Sequence, residues 1–268
     1  MLVLAAGLSM TAGANAMTMV QLNDLNSTAT FDPYSSDGMS SWAVDGVDQL
    51  QRQWFWYRVG DAAETPINFL ATPQIKINDN NFNPGDDSLT VRYAGQGLRI
   101  DITHTLTGGS DGSGKSDLAE VISITNTTTA AKSFHFYQYV DMDLAGTTFD
   151  SSLTLSGVPS PNTATQQDGY YAVGETVLTP RPSRYEAGDA ATILGKLQDG
   201  TATNLANVSS ATGGNLAWAF QWDIQLAPGG TYQISKDKNL TVPEPSGMIL
   251  ASLAIVLGLG YSLRKRVR

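Results

Sequence analysis

The chain of 268 residues has no cysteine. That excludes disulfide frameworks, thiol nucleophiles and cysteine-based zinc or iron–sulfur sites. Histidine is almost as scarce: His104 and His135 are the whole supply, so a three-histidine metal centre is impossible. Only 15% of the residues are charged, which argues against long helices laced with Glu–Lys pairs. Cations are the rarer sign, 16 against 25 acids for a net charge of −9. No phosphate-binding surface, and hence no nucleic-acid partner, is expected. No repeat of fixed length is present, which speaks against solenoids and propellers.

What the chain does have is alternation with a period of two. Leu98, Ile100, Ile102, His104 and Leu106 fall on one face, and Arg99, Asp101, Thr103 and Thr105 on the other. That is the pattern of a half-buried strand. The same alternation recurs at residues 89–93, 119–125, 133–141, 217–226 and 231–235. Residues 49–59 are aromatic-rich with an ambiguous period, and their composition favours a strand. Turn-rich linkers separate the runs at residues 78–87, 108–114, 126–131 and 156–169. Many short strands with Gly, Pro and Asn turns predict an all-β, antiparallel β-sandwich. Residues 156–182 read as an irregular edge or an insertion.

Chemistry-bearing residues in this region are few. His104 shares a face with aliphatic residues and is expected in the core. His135, Tyr137, Tyr139 and Asp141 share another face. They read as an exposed aromatic ladder or, less favoured, as the lining of a sugar cleft. Trp54, Trp56, Tyr137 and Tyr139 are the candidate carbohydrate contacts, because a binding module presents flat aromatic rings. Asp141 and Asp143 are spaced to point the same way and to share a cation or a proton. Asp79, Asn81 and Asn83 alternate like ligands of a calcium loop, but Pro84 stands where that pattern needs glycine and no Glu closes it. A polar turn is the expectation there. Gly109 to Ser116 fits the spacing of a phosphate loop. With β-like sequence following it, a hairpin tip is expected instead. No cofactor, nucleotide or catalytic metal is expected, and no enzymatic activity.

The two ends indicate a destination. Residues 1–16 are apolar and close on Ala14-Asn15-Ala16, the small-x-small pattern of a signal-peptidase site. No Lys or Arg precedes the apolar run, so the start lies upstream of Met1 or the signal is weak. At the other end stand Pro243, Glu244 and Pro245, then an uncharged stretch at residues 246–263, then Arg264, Lys265, Arg266 and Arg268. The stretch is long enough to cross a bilayer as a helix, and the cations would stay on the cytoplasmic side.

This three-part tail resembles the PEP-CTERM sorting signal: a Pro-Glu-Pro motif, a transmembrane helix and a short basic end. The resemblance covers about the last tenth of the chain. It implies an exported protein of a Gram-negative bacterium that makes exopolysaccharide, with Pro243, Glu244 and Pro245 as the processing motif of an exosortase. The organisation expected is a signal peptide at 1–16, an exported sandwich at 17–241 and a sorting tail at 242–268. The partners expected are signal peptidase and the export machinery, the inner membrane before processing, the exosortase, and exopolysaccharide in the envelope or biofilm. The function expected is that of a non-enzymatic envelope or matrix protein, with a carbohydrate-binding module or polysaccharide-acting enzyme as the alternative. The tail makes a prediction. Replacing Pro243, Glu244 and Pro245 by Ala should leave membrane insertion intact and make uncut precursor accumulate in the inner membrane, as read by fractionation and immunoblot in an exosortase-bearing host. Processing to the same smaller product would contradict the sorting reading.

Overall fold

The computed structural model describes residues 19–242. Both predicted terminal segments, with Pro243, Glu244, Pro245 and the basic cluster, lie outside the described residues. Among the described residues no helix is long and apolar enough to cross a membrane. The chain opens in a first sheet with β1 (Val20–Asp24), β2 (Ser27–Asp32), β3 (Gly38–Val44), β4 (Val47–Asp48), β5 (Arg52–Val59) and β6 (Thr65–Pro66). It crosses to a second sheet for β7 (Gln74–Asn78), β8 (Ser88–Gly95), β9 (Leu98–Gly108) and β10 (Lys115–Asn126). It returns for β11 (Lys132–Asp141), crosses again for β12 (Ser152–Ser156), β13 (Thr163–Asp168) and β14 (Tyr171–Thr179), and comes back for β15 (Arg184–Asp189). The one α-helix among the described residues, α1 (Ala190–Lys196), follows; then β16 (Ser210–Thr212), β17 (Leu216–Leu226) and β18 (Thr231–Thr241) fall in the second, first and second sheets.

Each sheet has nine strands. Pairing between named strands is antiparallel apart from a short parallel contact of β3 with β5. The all-β, two-sheet architecture is therefore the one that the alternation predicts. The expected irregular stretch at residues 156–182 is corrected: it holds β13 and β14, a regular hairpin paired from Thr163↔Thr176 to Asp168↔Tyr171. The buried positions of β13 are Ala164 and Gln166, so the apolar alternation that marks other strands is weak there. The phosphate-loop lookalike is the connection from β9 to β10. Its glycine amides Gly112 N and Gly114 N donate to the Asp45 carboxylate at 2.7 and 2.8 Å.

The inner faces enclose an aromatic core. Phe55, Phe134, Phe136, Trp218, Phe220 and Trp222 are buried in it, with Phe55 stacked on Phe136 and Tyr57 on Phe134. Set into this apolar layer are four ions. Glu120 on β10 stands directly across from Lys236 on β18, and Glu175 on β14 across from Lys238. Their side chains are at most 2% exposed. Lys236 Nζ contacts Glu120 and lies 3.0 Å from Glu175 Oε1, while Lys238 Nζ lies 2.6 Å from Glu120 Oε1. The facing sheet supplies further donors: Gln53 Nε2 to Glu120 Oε1 at 2.5 Å, Gln138 Nε2 to Glu175 Oε1 at 2.7 Å and Trp218 Nε1 to Glu175 Oε2 at 2.8 Å. Burial alone would raise the Glu120 carboxyl, but Lys236 and Lys238 hold it well below its ordinary value. His104, in the core as expected, has its imidazole pushed down by burial and is neutral beside this group.

Two carboxylates and two ammoniums balance, so the layer carries no net charge. Removing one member leaves its partner buried and unpaired, which costs ~3–5 kcal/mol, whereas removing a pair is far milder. Lys236→Met should lower the unfolding free energy by about that amount in urea titrations at neutral pH. The double change Glu120→Gln with Lys236→Met should recover more than half of it. A single change without effect would show that the four charges are not coupled.

Candidate functional site

The first sheet has an outer face as well as an inner one. In β5 the burial is continuous from Gln53 to Arg58 instead of alternating, and β17 is buried from Leu216 to Trp222. Something covers the outer face, and it is the chain itself. α1 and the segment that follows it lie across β5, β11 and β17. Tyr137 Oη donates to Thr203 O at 2.7 Å, Arg58 Nη2 to Asn204 Oδ1 at 2.9 Å, and Leu205 N to Gln221 Oε1 at 2.9 Å. Arg58 also forms a buried ion pair with Glu64, at 3.0 Å, and Glu64 accepts from Thr203 N. Ile193, Leu197 and Leu205 are the apolar anchors, each 1% exposed.

This cover changes the role of the aromatics. Trp54, Trp56, Tyr137 and Tyr139 are 5%, 0%, 0% and 1% exposed. The expected exposed ladder of His135, Tyr137, Tyr139 and Asp141 is corrected, since Tyr137, Tyr139 and Asp141 are buried and His135 is partly covered, and none of the four carbohydrate-contact candidates offers an open ring face to a sugar. Trp56 packs edge-on against Tyr139, and Trp54 edge-on against Tyr93 of the second sheet. Sequence periodicity puts residues on a face, but it carries no sign of a remote segment lying over that face.

The cover leaves two ends of the face open. At one end His135 Nδ1 is 2.6 Å from Asp223 Oδ1, which also accepts from Gln221 Nε2 at 2.6 Å, with Arg184 Nε 3.8 Å from Asp223 Oδ2. At the other end is a depression of about 190 Å³ lined by Arg52, Tyr139, Asp141, Ala190, Leu194 and Asn215. The register explains the grouping. Arg52 on β5 is directly across from Asp141 on β11, and Asp141 from Ala217 on β17. Asn215 immediately precedes β17.

Two acceptors in the depression lack a donor. Asp141 is 6% exposed. Its Oδ2 accepts from Tyr139 Oη at 3.1 Å, but its Oδ1 meets no donor from the protein, and neither does Asn215 Oδ1. Arg52 Nη2 donates to Asp37 Oδ1 at 2.7 Å, and the Arg52 charge works against the rise of the Asp141 carboxyl. Burial pushes the Asp141 carboxyl up to about 7; the Tyr139 hydrogen bond opposes the shift, and Asp143 and Asp150 add to it. The site is therefore an acceptor-rich hollow whose carboxyl titrates near neutrality. It fits a ligand that brings hydroxyl donors.

The remaining sequence candidates are placed as follows. Asn81 Nδ2 donates to Asp87 Oδ2 at 2.6 Å, and Asn83 Nδ2 to Asp24 Oδ1 at 2.9 Å, while Asp79 Oδ1 accepts from Asn81 N. The loop is thus laced by amide–carboxylate bonds. Among the described residues no group of three or more Asp, Glu or His side chains stands at a spacing that holds a metal ion. Asp141 and its face were legible from the strand pattern. Asn215 was not, because it precedes its strand and only the tertiary fold brings it to Asp141.

No family model matches the chain, and no curated protein does. Solved structures do. A bacterial glucoamylase complexed with acarbose is similar over 90% of this chain, with a TM-score of 0.59 at 11% sequence identity. The match covers 34% of the glucoamylase chain, so this chain spans about a third of that protein's length. The Slr1438 protein from Synechocystis sp. PCC 6803 is similar over 88% of this chain and 99% of its own, with a TM-score of 0.51 at 8% identity. At these identities the likeness is one of fold.

The Asp141 carboxyl implies a pH dependence. Its folded value near 7 is above its ordinary 3.8, so the stability it contributes is present below the lower value and is lost as pH rises through the higher one. In chelator-treated buffer the thermal midpoint should therefore fall between pH 5 and pH 8. Asp141→Asn should flatten that slope and be the more stable form at pH 8, by an amount on the order of a few kcal/mol. An unchanged slope in the variant would contradict the assignment.

Proposed function

We propose that the chain is an exported, carbohydrate-binding protein of the cell envelope, with the Asp141–Asn215 hollow as its saccharide site. The observation that carries this reading is the pair of donor-starved oxygens, Asp141 Oδ1 and Asn215 Oδ1, in one depression of about 190 Å³. That volume is below the ~300–1,000 Å³ of a drug-sized pocket and suits one sugar unit or a chain end. A buried acceptor without a partner is unfavourable by ~1–3 kcal/mol, and a sugar hydroxyl removes that penalty. The two-sheet fold shared with the acarbose-bound glucoamylase supports a carbohydrate-related role. The tail supports the location: by its resemblance to a PEP-CTERM signal, the protein reaches the envelope through export, membrane insertion and exosortase processing, where exopolysaccharide is the available partner.

A polysaccharide-acting enzyme is the second reading, favoured by the Asp141 carboxyl near neutrality, where a general acid or base works best. The two readings separate in one experiment. Mono- and oligosaccharides and exopolysaccharide purified from an exosortase-bearing host are titrated calorimetrically, and product release is followed in the same samples. Binding without turnover is expected. Asp141→Asn and Asn215→Ala should each weaken it by about tenfold or more, the effect of losing a hydrogen bond worth ~1.5 kcal/mol. Turnover would favour the enzyme, and binding indifferent to both changes would exclude this hollow as the site.

A further inference from the structure

The outer face of the second sheet holds a groove of about 280 Å³, lined by Gln74, Ile75, Lys76, Thr90, Arg92 and Asp101. The register explains the grouping. Gln74 on β7 stands across from Arg92 on β8, and Arg92 across from Asp101 on β9. In the next row Lys76 faces Thr90, and Thr90 faces Thr103. Lys76 and Arg92 are therefore diagonal neighbours, about 7–8 Å apart along the sheet and within reach of long side chains. Leu89, Val91 and Tyr93 turn inward and are buried, which leaves Thr90 and Arg92 to the outside. Charge here runs against the rest of the molecule. The chain has 16 cations against 25 acids, yet the outward positions of β7, β8 and β9 carry Lys76, Arg92 and Arg99 against Asp101 alone. Arg92 Nε donates to Asp101 Oδ1 at 2.5 Å, and Arg99 Nε lies 3.1 Å from Asp101 Oδ2. Both oxygens of the acid are thus engaged. Among the described residues no ion pair includes Lys76, and Arg92 bonds Asp101 through Nε, which leaves its terminal nitrogens to the groove. The Thr90 and Thr103 hydroxyls are 3.0 Å apart, so one of their two protons is left to donate outward.

We propose that this groove binds an acidic saccharide, with the carboxylate of a uronic acid held by Arg92 and Lys76 and the ring hydroxyls met by Thr90 and Gln74. That the ligand is a sugar rests on the saccharide reading above; the site itself is on the other sheet from Asp141. Its chemistry is the converse of the hollow's, cationic donors without acceptors in place of acceptors without donors. A guanidinium engaged at Nε still presents two terminal amino groups in one plane, a fork that matches a carboxylate. Asp101 fixes the orientation of that fork, and Lys76 adds a point charge beside it. A free inorganic anion would engage the same two cations but would make no use of Thr90 and Gln74. The net charge of −9 repels a polyanion at long range, so the attraction is local, weak and sensitive to salt. The same field works against nucleic acid, whose affinity comes from many phosphate contacts at once.

The test titrates the purified chain by calorimetry with a short oligogalacturonate, with a neutral malto-oligosaccharide of the same length, and with sodium sulfate, at matched ionic strength. The oligogalacturonate should bind, and sulfate should not displace it. Lys76→Gln and Arg92→Gln, both at exposed positions and so expected to fold, should each weaken binding about threefold and together about tenfold, the scale of exposed charge pairs. Arg92→Lys keeps the charge without the fork and should recover only part of the loss. Lys115→Gln, which removes an exposed cation outside the groove, should bind as the parent does. Raising the ionic strength from about 0.02 to 0.2 M should weaken binding several-fold. Asp141→Asn should leave the affinity for oligogalacturonate unchanged, so failure of the hollow and failure of the groove are read separately. Equal affinity for the neutral oligosaccharide, displacement by sulfate, an equal loss in Lys115→Gln, or indifference to both groove changes would each overturn the proposal.

Discussion

The interaction on which the rest of the structure depends is the balanced charge layer of Glu120, Glu175, Lys236 and Lys238. Four ions inside an aromatic sandwich are stable only if every one is paired and the remaining lone pairs are satisfied. Meeting both conditions ties β10, β14 and β18 of the second sheet to β5, β11 and β17 of the first through Gln53, Gln138 and Trp218. A slip of β18 by one residue would turn both lysines to the other face and leave two glutamates unpaired, because side chains alternate along a strand. The charge layer adds a second specification of the register of β18 between β10 and β14, while the pairings of β5, β11 and β17 place Arg52, Asp141 and Ala217 side by side on the outer face.

Much of this was legible in the sequence, and the exceptions have physical causes. The alternation at Leu98–Leu106 named both a strand and its buried face, His104 included, because one face of β9 meets the core and the other is more open. The alternation at residues 217–226 likewise marked a strand, whose Trp218, Phe220 and Trp222 are buried in the core. The charge layer was hidden: Lys236 and Lys238 sit in a strand that reads as polar, and nothing local says that their partners are 116 and 63 residues upstream, at Glu120 and Glu175. β13 and β14 were missed because the buried face of β13 carries Ala164 and Gln166 rather than large apolar residues. Trp54, Trp56, Tyr137 and Tyr139 were assigned to the right strands but to the wrong environment, since the cover comes from residues about fifty or more positions later. Half of the saccharide hollow, Asp141 with Tyr139, was visible in period two. The other half, Asn215, depends on a loop geometry that has no local signature.

The cover also shapes what the outer face does. A bare sheet face with two tryptophans and two tyrosines would bind sugars by ring stacking. With α1 and the following segment seated on it, the aromatics are structural, and in the proposed function recognition falls to the rim, where Asp141 and Asn215 carry unpaired oxygens. Recognition by acceptors rather than by stacking is directional and short-range, and it suits a chain end more than a long polysaccharide stretch.

The central claim is that saccharide hydroxyls satisfy Asp141 and Asn215. A crystal structure of the described region with a bound oligosaccharide tests it most directly. The account predicts a sugar unit in the depression beside Arg52 and Leu194, with hydroxyls within hydrogen-bond distance of Asp141 Oδ1 and Asn215 Oδ1 and with the cover unmoved. A sugar stacked on Trp54 or Trp56 after displacement of the cover, or a neutral one bound on the second sheet, would contradict it.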